Sequence, residues 1–180
     1  MRDGETRLII SHDHFRDVCI CIGQIVVPFA QIEASLDMAI ATIYQNGGKS
    51  HADELPRTLS RRIAYVRRCL KKMTALEPAR EEGLEILTAL YRESDIRNNV
   101  VHGYLYRFDD ETGTAGFRLL DAFMDKHLHT ERVHSYTLAE MMESGDRLIK
   151  IGHRMNSLTL KISQLLDIED VVLRARAIAP

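Results

Sequence analysis

Tryptophan is absent from the 180-residue sequence, and cysteine is scarce, with three residues. An odd number of cysteines without a Cys-x-x-Cys pair predicts neither a disulfide framework nor a zinc ribbon. Cys19 and Cys21 lie in an apolar stretch, where free cysteine behaves as a small buried hydrophobe, and the third is Cys69. This usage favours a reducing compartment, so we expect a cytoplasmic protein.

An excess of one charge is also missing. The sequence has 24 Lys and Arg residues against 26 Asp and Glu residues, for a net charge of −2. A nucleic-acid-binding domain is usually basic. Any such function must therefore come from a local cluster of basic residues.

Neither a leader nor a membrane span is indicated. Residues 1–7 are polar and carry acids, unlike a signal or transit peptide. The longest apolar run, Val18–Ala30, is interrupted by Gly23, Gln24 and Pro28 and falls short of the roughly 20 apolar residues that a bilayer requires. We expect a protein that is neither exported nor membrane-spanning.

The signatures of common enzyme classes are lacking: there is no P-loop, no Rossmann glycine pattern and no Gly-x-Ser-x-Gly. Histidines occur at His12-x-His14 and at His127-x-His129 with His134, but no cysteine or carboxylate completes a recognised metal-ligand spacing. We expect neither a metal site nor a cofactor.

What is present is helical periodicity. The first helix is predicted from about Phe15 to Gln45, where Gly47-Gly48 stops it. Pro28 is expected to kink it. Near this proline the helix is apolar on more sides than one core needs, so we expect the bundle or a second subunit to cover it. Its apolar seam comprises Ile22, Ile25, Phe29, Ile32, Leu36, Ala39 and Ile43.

A second helix is predicted over about Pro56–Met73 and a third over about Pro78–Val101. Polar and apolar residues then alternate over Tyr104–Phe108 and again over Gly116–Leu119, on either side of a turn at Asp109–Gly113. This pattern predicts a β-hairpin.

The fourth helix is predicted to begin at the capping box Thr137-Leu138-Ala139-Glu140 and to continue toward Leu166. Gly145 and Gly152 are placed on it for close helix approach, and a short terminal helix is expected after Asp167. These elements predict an all-α protein, a bundle of four to five helices with a short β-hairpin before the last long helix. We expect residues 1–180 to form a single domain.

The stretch most informative about function closes the third helix, where residues 95–103 read Asp-Ile-Arg-Asn-Asn-Val-Val-His-Gly. Arg97 is expected to point toward the apolar side, with Asn98 near its edge and His102 one turn beyond. A buried arginine must be paired, because an unpaired buried charge is costly. The core face of this helix is expected to comprise Ile86, Leu87, Leu90 and Val101.

One interpretation of this stretch is structural. Arg97 would pair with a carboxylate such as Glu33 or Asp95, and His102 would stabilise the C-terminal end of the helix, where a cation is favoured.

The segment Arg97-Asn98-Asn99-Val100-Val101-His102 resembles the signature of the HEPN superfamily: an arginine, usually a polar residue next, and a histidine a few residues later. The long apolar first helix and the hairpin after His102-Gly103 are similar too. The resemblance implies a dimeric helical bundle, and in many members a metal-independent endoribonuclease of toxin–antitoxin, phage-defence or RNA-processing systems. It also implies RNA, and an antitoxin or nucleotidyltransferase-like protein, as partners.

The chemistry suits these residue types. RNA is cleaved when its 2′-hydroxyl attacks the adjacent phosphate, so a histidine can move the proton and a guanidinium can stabilise the phosphate charge. The resemblance implies a dimeric site with Arg97 and His102 from each subunit, and Asn98 orienting the pair or binding phosphate. The alternatives are a non-catalytic RNA- or nucleotide-binding or protein-interaction module, and a structural dimer in which Arg97 is a buried strut.

The second helix supplies local positive charge, because residues 57–72 contain seven basic residues and no acid. Such a stripe either follows an RNA backbone or is a solvated face balanced by Glu81, Glu82 and Glu85. Four of the seven lie opposite the apolar face and are the candidate RNA-binding residues: Arg57, Arg61, Arg68 and Lys72.

Four aromatic residues of the hairpin have two interpretations. They either stack on bases or pack the hairpin onto the bundle. They are Tyr104, Tyr106, Phe108 and Phe117.

Overall fold

The computed structural model describes residues 11–51, 54–123 and 128–166. Within them the chain forms four α-helices and a small antiparallel sheet. The helices are α1 (His12–Gln45), α2 (Leu59–Lys72), α3 (Arg80–His102) and α4 (Leu138–Leu165), and the strands are β1 (Tyr104–Asp109), β2 (Thr114–Phe123) and β3 (Leu128–Thr137).

The four predicted long helices are confirmed. Pro78 does not open α3 but lies in a short 3-10 helix, Thr74–Ala79, that precedes it. The capping box of α4 forms as expected: the Thr137 backbone N–H donates to Glu140 Oε2 at 2.8 Å, and the Glu140 N–H donates to Thr137 Oγ1 at 3.1 Å. The terminal helix expected after Asp167 lies outside the described residues.

The hairpin prediction is correct but incomplete. β1 pairs with β2 from Tyr104↔Arg118 to Asp109↔Thr114, with an irregularity between Leu105 and Arg107. A third strand, β3, then pairs with β2 along its whole length. The sequence of β3 is mostly polar, so its strand character depends on its pairing with β2 and has little support from hydrophobic alternation.

The chain divides into two compact units, and α1, α3 and α4 each contribute to both. The first unit contains the described residues up to Pro28 and the segment Glu93–Leu148. The second contains Phe29–Arg92 and α4 from Ile149 onward. The single domain expected for residues 1–180 stays a prediction.

In the first unit, apolar side chains of the helices and of β2 form the core. Gly145 of α4 lies against α1, where a Cβ would come within 3.0 Å of the Gln24 carbonyl oxygen. Its predicted role in close helix approach is therefore confirmed. The buried side chains are Val18, Cys21, Ile25, Val100, Ala115, Phe117, Leu119, Met141 and Leu148.

In the second unit, α1 buries Phe29, Ile32, Leu36, Ala39 and Ile43, as predicted for its seam. The start of the predicted seam belongs to the first unit, and there Ile22 is only half-buried, whereas Val18 and Cys21 are buried. A Cβ on Gly152 would meet Ile32 at an ordinary 3.5 Å, so this glycine is not required for close approach.

Two of the three acids that the solvated-face interpretation places against α2 form ion pairs with α4. Glu85 pairs with Arg154 of α4 at 2.8 Å, and Glu82 pairs with Lys161 at 3.2 Å. On α2, Arg62 instead faces Asp37 of α1 at 3.4 Å. Two of the three acids expected to offset the α2 charge are thus paired with α4.

Among the described residues, α1 alone is long and apolar enough to cross a membrane by length and composition. Core helices of soluble proteins and signal sequences pass the same test, so it is weak evidence. The uninterrupted apolar run Val18–Ala30 is too short for a bilayer. The whole of α1 is longer, and its mean hydropathy remains high in spite of the polar residues within it.

Two glycine substitutions test the helix approach in the first unit. Gly145→Ala places a methyl group 3.0–3.1 Å from Gln24 atoms, including backbone, and should lower the free energy of unfolding by about 1–3 kcal/mol. Gly23→Ala, with no atom within 4 Å, is the control and should raise it by up to about 1 kcal/mol. Urea denaturation measures both, and equal effects would contradict the proposed packing.

Candidate functional site

The segment Arg97–His102, which we call the motif, forms the C-terminal end of α3, where the chain turns sharply into β1. The helix ends at His102, and the Gly103 N–H donates to the Asn99 carbonyl at 3.0 Å. A Cβ on Gly103 would collide with that same carbonyl oxygen and crowd Leu119 and Phe117 of β2. Glycine therefore lets the chain turn directly into β1, and it leaves His102 exposed on the last helical turn.

The structure brings Arg97 and Asn98 together. Both side chains are half-buried, and Arg97 Nη1 donates to Asn98 Oδ1 at 3.1 Å. Asn98 thereby restrains the guanidinium, which is consistent with the orienting role expected for it. His102 lies about one helical turn further along, exposed to solvent and open to a ligand.

The core face expected for α3 is right at Ile86, Leu87 and Leu90 and wrong at its end. Val101 is 39% exposed, whereas Val100 is 6% exposed. The reason is that the sheet packs against a different side of the last turn. At about 100° per residue, Arg97 and Val101 share one face and Asn99 lies opposite, toward the sheet.

Asn99 is the residue of this segment that sequence reasoning missed. It is buried, and its Nδ2 donates to the Tyr136 hydroxyl of β3 at 2.6 Å. The Tyr136 ring lies against Phe117, with ring centroids 6.3 Å apart. A second asparagine after Asn98 was the available signal, but its partner lies on the strand that was not predicted.

The hairpin aromatics divide between the two interpretations. Phe117 is buried, and Phe108 lies against the His14 ring at 5.1 Å, so these two pack within the unit. The Tyr106 ring covers Gly116 and has the Arg118 guanidinium 4.6 Å from its centroid. Tyr104 is 48% exposed, two residues after His102, and is the aromatic side chain best placed for base stacking.

The start of α1 is tied to the same unit through a histidine. His14 Nδ1 lies 2.7 Å from Asp110 Oδ1 in the turn between β1 and β2. His14 thus contacts a carboxylate and an aromatic ring, which gives it a structural role at the end of the hairpin.

Three of the four candidate RNA-binding residues line one cavity of the second unit. Arg57, Arg61 and Arg68 line a single cavity of about 390 Å³, which we call the arginine cavity; Lys72 is not among its lining residues. Arg68 Nη1 donates to the His51 carbonyl at 2.7 Å. Arg67, by contrast, donates to Thr88 Oγ1 at 2.7 Å and has a structural contact.

The cysteines offer little reactivity. Burial raises the pKa of the Cys21 and Cys69 thiols, which keeps them protonated as expected for small buried hydrophobes. Cys19 differs from the expectation, since it is exposed.

Over residues 11–51, 54–123 and 128–166, no group of three or more His, Cys, Asp or Glu side chains is arranged to hold a metal ion. The expectation of a function without metal or cofactor stays a prediction.

No family model, no characterised protein and no solved structure matches this chain. The resemblance to the HEPN superfamily is carried by the motif and the order of the helices, and it stays a prediction.

The contact of Asn99 with Tyr136 can be tested by a double-mutant cycle. Tyr136→Phe leaves the buried Asn99 amide without its acceptor and should lower the free energy of unfolding by about 1–3 kcal/mol. Combining it with Asn99→Ala should cost less than the sum of the two single changes, because both remove one interaction. Strict additivity in urea denaturation would show that the hydrogen bond contributes nothing.

Proposed function

We propose that this protein is a metal-independent endoribonuclease that acts as a dimer. The observation that carries the proposal is the occurrence, on the last turns of α3, of a half-buried Arg97 restrained by Asn98 and of an exposed His102. The arginine is held for phosphate binding, and the histidine is accessible for proton transfer.

The division of roles follows from the chemistry of RNA cleavage. Arg97 is restrained by its hydrogen bond to Asn98 Oδ1, and a guanidinium is a strong ligand for phosphate oxygens, so Arg97 is the group proposed to contact the phosphate. An imidazole titrates near neutral pH and can accept the 2′-hydroxyl proton or protonate the leaving oxygen. Each chain supplies one such histidine from the motif, so two subunits provide one base and one acid.

The dimer proposal is supported by exposed apolar side chains in the unit that carries the motif. Ile20 and Val27 of α1 are 52% and 58% exposed and one heptad apart. Val101 is exposed on the face of α3 that also carries Arg97. Burial of such side chains in a two-fold interface would stabilise the dimer.

The biological setting follows only from the resemblance. We propose a cytoplasmic ribonuclease of the toxin or phage-defence type, with an antitoxin or a nucleotidyltransferase-like protein as partner.

A non-catalytic RNA-binding module is the second candidate. The observation that favours it is the arginine cavity, which lies outside the motif and offers cationic groups without any catalytic residue. In that case Arg97 serves as a strut and the protein binds RNA without cutting it.

The cleavage proposal predicts that the wild-type protein cuts single-stranded RNA in the presence of EDTA. The upstream fragment should carry a 2′,3′-cyclic phosphate, since the 2′-hydroxyl is the nucleophile. RNA with a 2′-deoxy nucleotide at the scissile position should resist cleavage. Denaturing gels and mass spectrometry of the products measure both outcomes.

The residue assignments are tested by substitution. His102→Ala and Arg97→Ala should each lower the cleavage rate about 100-fold or more. His153→Ala, a matched change at an exposed histidine of α4, should leave it unchanged. The thermal stability of Arg97→Ala must also be measured, because the Arg97 side chain is half-buried. His102→Ala should lower the free energy of unfolding by less than about 1 kcal/mol, because His102 is exposed. A folded His102→Ala protein that cuts at the wild-type rate would refute the catalytic assignment.

The dimer is tested by a charge on the exposed face of α1. Ile20→Glu should shift the protein to monomers at micromolar concentration and reduce cleavage with it, because a carboxylate cannot be buried unpaired in an apolar interface. Leu160→Glu of α4, also at an exposed apolar side chain, is the control. Sedimentation velocity showing a wild-type monomer would rule the dimer out.

A further inference from the structure

The arginine cavity lies at the start of α2. Thr58 caps the helix, its hydroxyl accepting from the Arg61 N–H at 3.4 Å. Arg57 precedes this cap, Arg61 follows it, and Arg68 lies two turns further along. The cavity thus combines three guanidinium groups with the positive end of a helix of 14 residues.

This arrangement is electrostatically unfavourable without an anion. Helix starts normally carry acids, but the first turn of α2 carries none and contains Arg61 and Arg62 instead. Arg62 is offset by Glu33 and Asp37. Among the described residues, Arg57 and Arg61 have no ion pair, and Glu54 is the one carboxylate lining the cavity. Net positive charge remains at the positive helix end.

The guanidinium groups are also partly preorganised. Arg68 is fixed by its hydrogen bond to the His51 carbonyl and retains further N–H donors toward the cavity. The lining of the cavity also includes the apolar residues Leu55, Pro56 and Ala64, and Leu55 is 51% exposed. A lining that combines guanidinium groups with apolar side chains suits a ligand with a phosphate and a flat apolar part.

A second cavity of about 390 Å³ adjoins the first and shares Ala64 and Arg68 with it. Its lining adds Arg67, Lys71 and the exposed aromatic residue Tyr91. The two cavities form a continuous groove along α2, with positive charge on both sides of Arg68. Each cavity is of a size to accept one nucleotide.

We propose that the arginine cavity binds the terminal phosphate of an RNA strand, with the adjoining nucleotide in the second cavity. A terminal phosphate has a charge near −2 and three acceptor oxygens, which matches three guanidiniums opposed by one carboxylate. An internal phosphodiester offers a single negative charge and two free oxygens. The same phosphomonoester occurs on a free nucleotide, which is the other source of this chemistry.

The site lies outside the motif, and only the choice of RNA as ligand rests on the proposed function. Binding is therefore measured on the His102→Ala protein, in which cleavage cannot interfere. Fluorescence anisotropy compares one short RNA with a 5′-phosphate, with a 3′-phosphate and with hydroxyl groups at both ends. Unlabelled adenosine 5′-monophosphate and adenosine compete in separate titrations.

We expect at least one phosphorylated end to bind about tenfold or more tightly than the hydroxyl-ended RNA. Arg61→Gln should remove that difference, whereas Lys150→Gln, the same change of charge at an exposed residue of α4 outside both cavities, should retain it. If adenosine 5′-monophosphate displaces the RNA at concentrations where adenosine does not, the site also binds free nucleotides.

Equal binding of phosphorylated and hydroxyl-ended RNA would overturn the proposal and leave the basic residues as contacts of the RNA backbone. Equal losses in Arg61→Gln and Lys150→Gln would overturn it too, because general electrostatic attraction would then explain the binding. If the wild-type protein cleaves no RNA but the protein still binds phosphorylated ends more tightly than hydroxyl ends, the proposed ribonuclease is refuted and the phosphate site is retained.

Discussion

The hydrogen bond from the buried Asn99 amide to the Tyr136 hydroxyl joins the last turn of α3 to the far strand of the sheet. The Asn99 side chain is buried, so its amide needs the Tyr136 hydroxyl to offset its desolvation. Gly103 then allows the chain to leave the helix directly against β2. Together these contacts direct one side of the helix end toward the sheet and leave His102 and Val101 on its open sides.

This constraint explains why the motif is divided between half-buried and exposed positions. Arg97 is close enough to the packed interior to be restrained by Asn98, yet it lies on the same face as the exposed Val101. His102 belongs to the last turn of α3 and is exposed. The restraint of Arg97 and the exposure of His102 follow from where the sheet packs, and the chemistry proposed for the site depends on both.

The second unit concentrates positive charge differently. Arg62 and Arg67 of α2 are engaged by neighbouring side chains, and two acids of α3 are engaged by α4. Of the cations that remain, Arg57, Arg61 and Arg68 line the arginine cavity, and Lys71 and Lys72 lie in the last turn of α2. The basic residues of α2 therefore differ in their surroundings: some form structural contacts, and others line the cavity that we propose binds an anion.

The sequence by itself determined the helices, because periodic apolar residues, the capping box at Thr137 and the glycines after α1 act locally, within a few residues of one another. It also predicted Arg97 and His102 as site residues, which stays a prediction. It could not determine β3, whose polar residues form a strand only when paired with β2, and therefore it could not reveal Tyr136 as the partner of Asn99. Nor could it show that Arg57, Arg61 and Arg68 line one cavity whose lining does not include Lys72. Those outcomes depend on contacts between residues distant in the chain, and only the tertiary structure decides them.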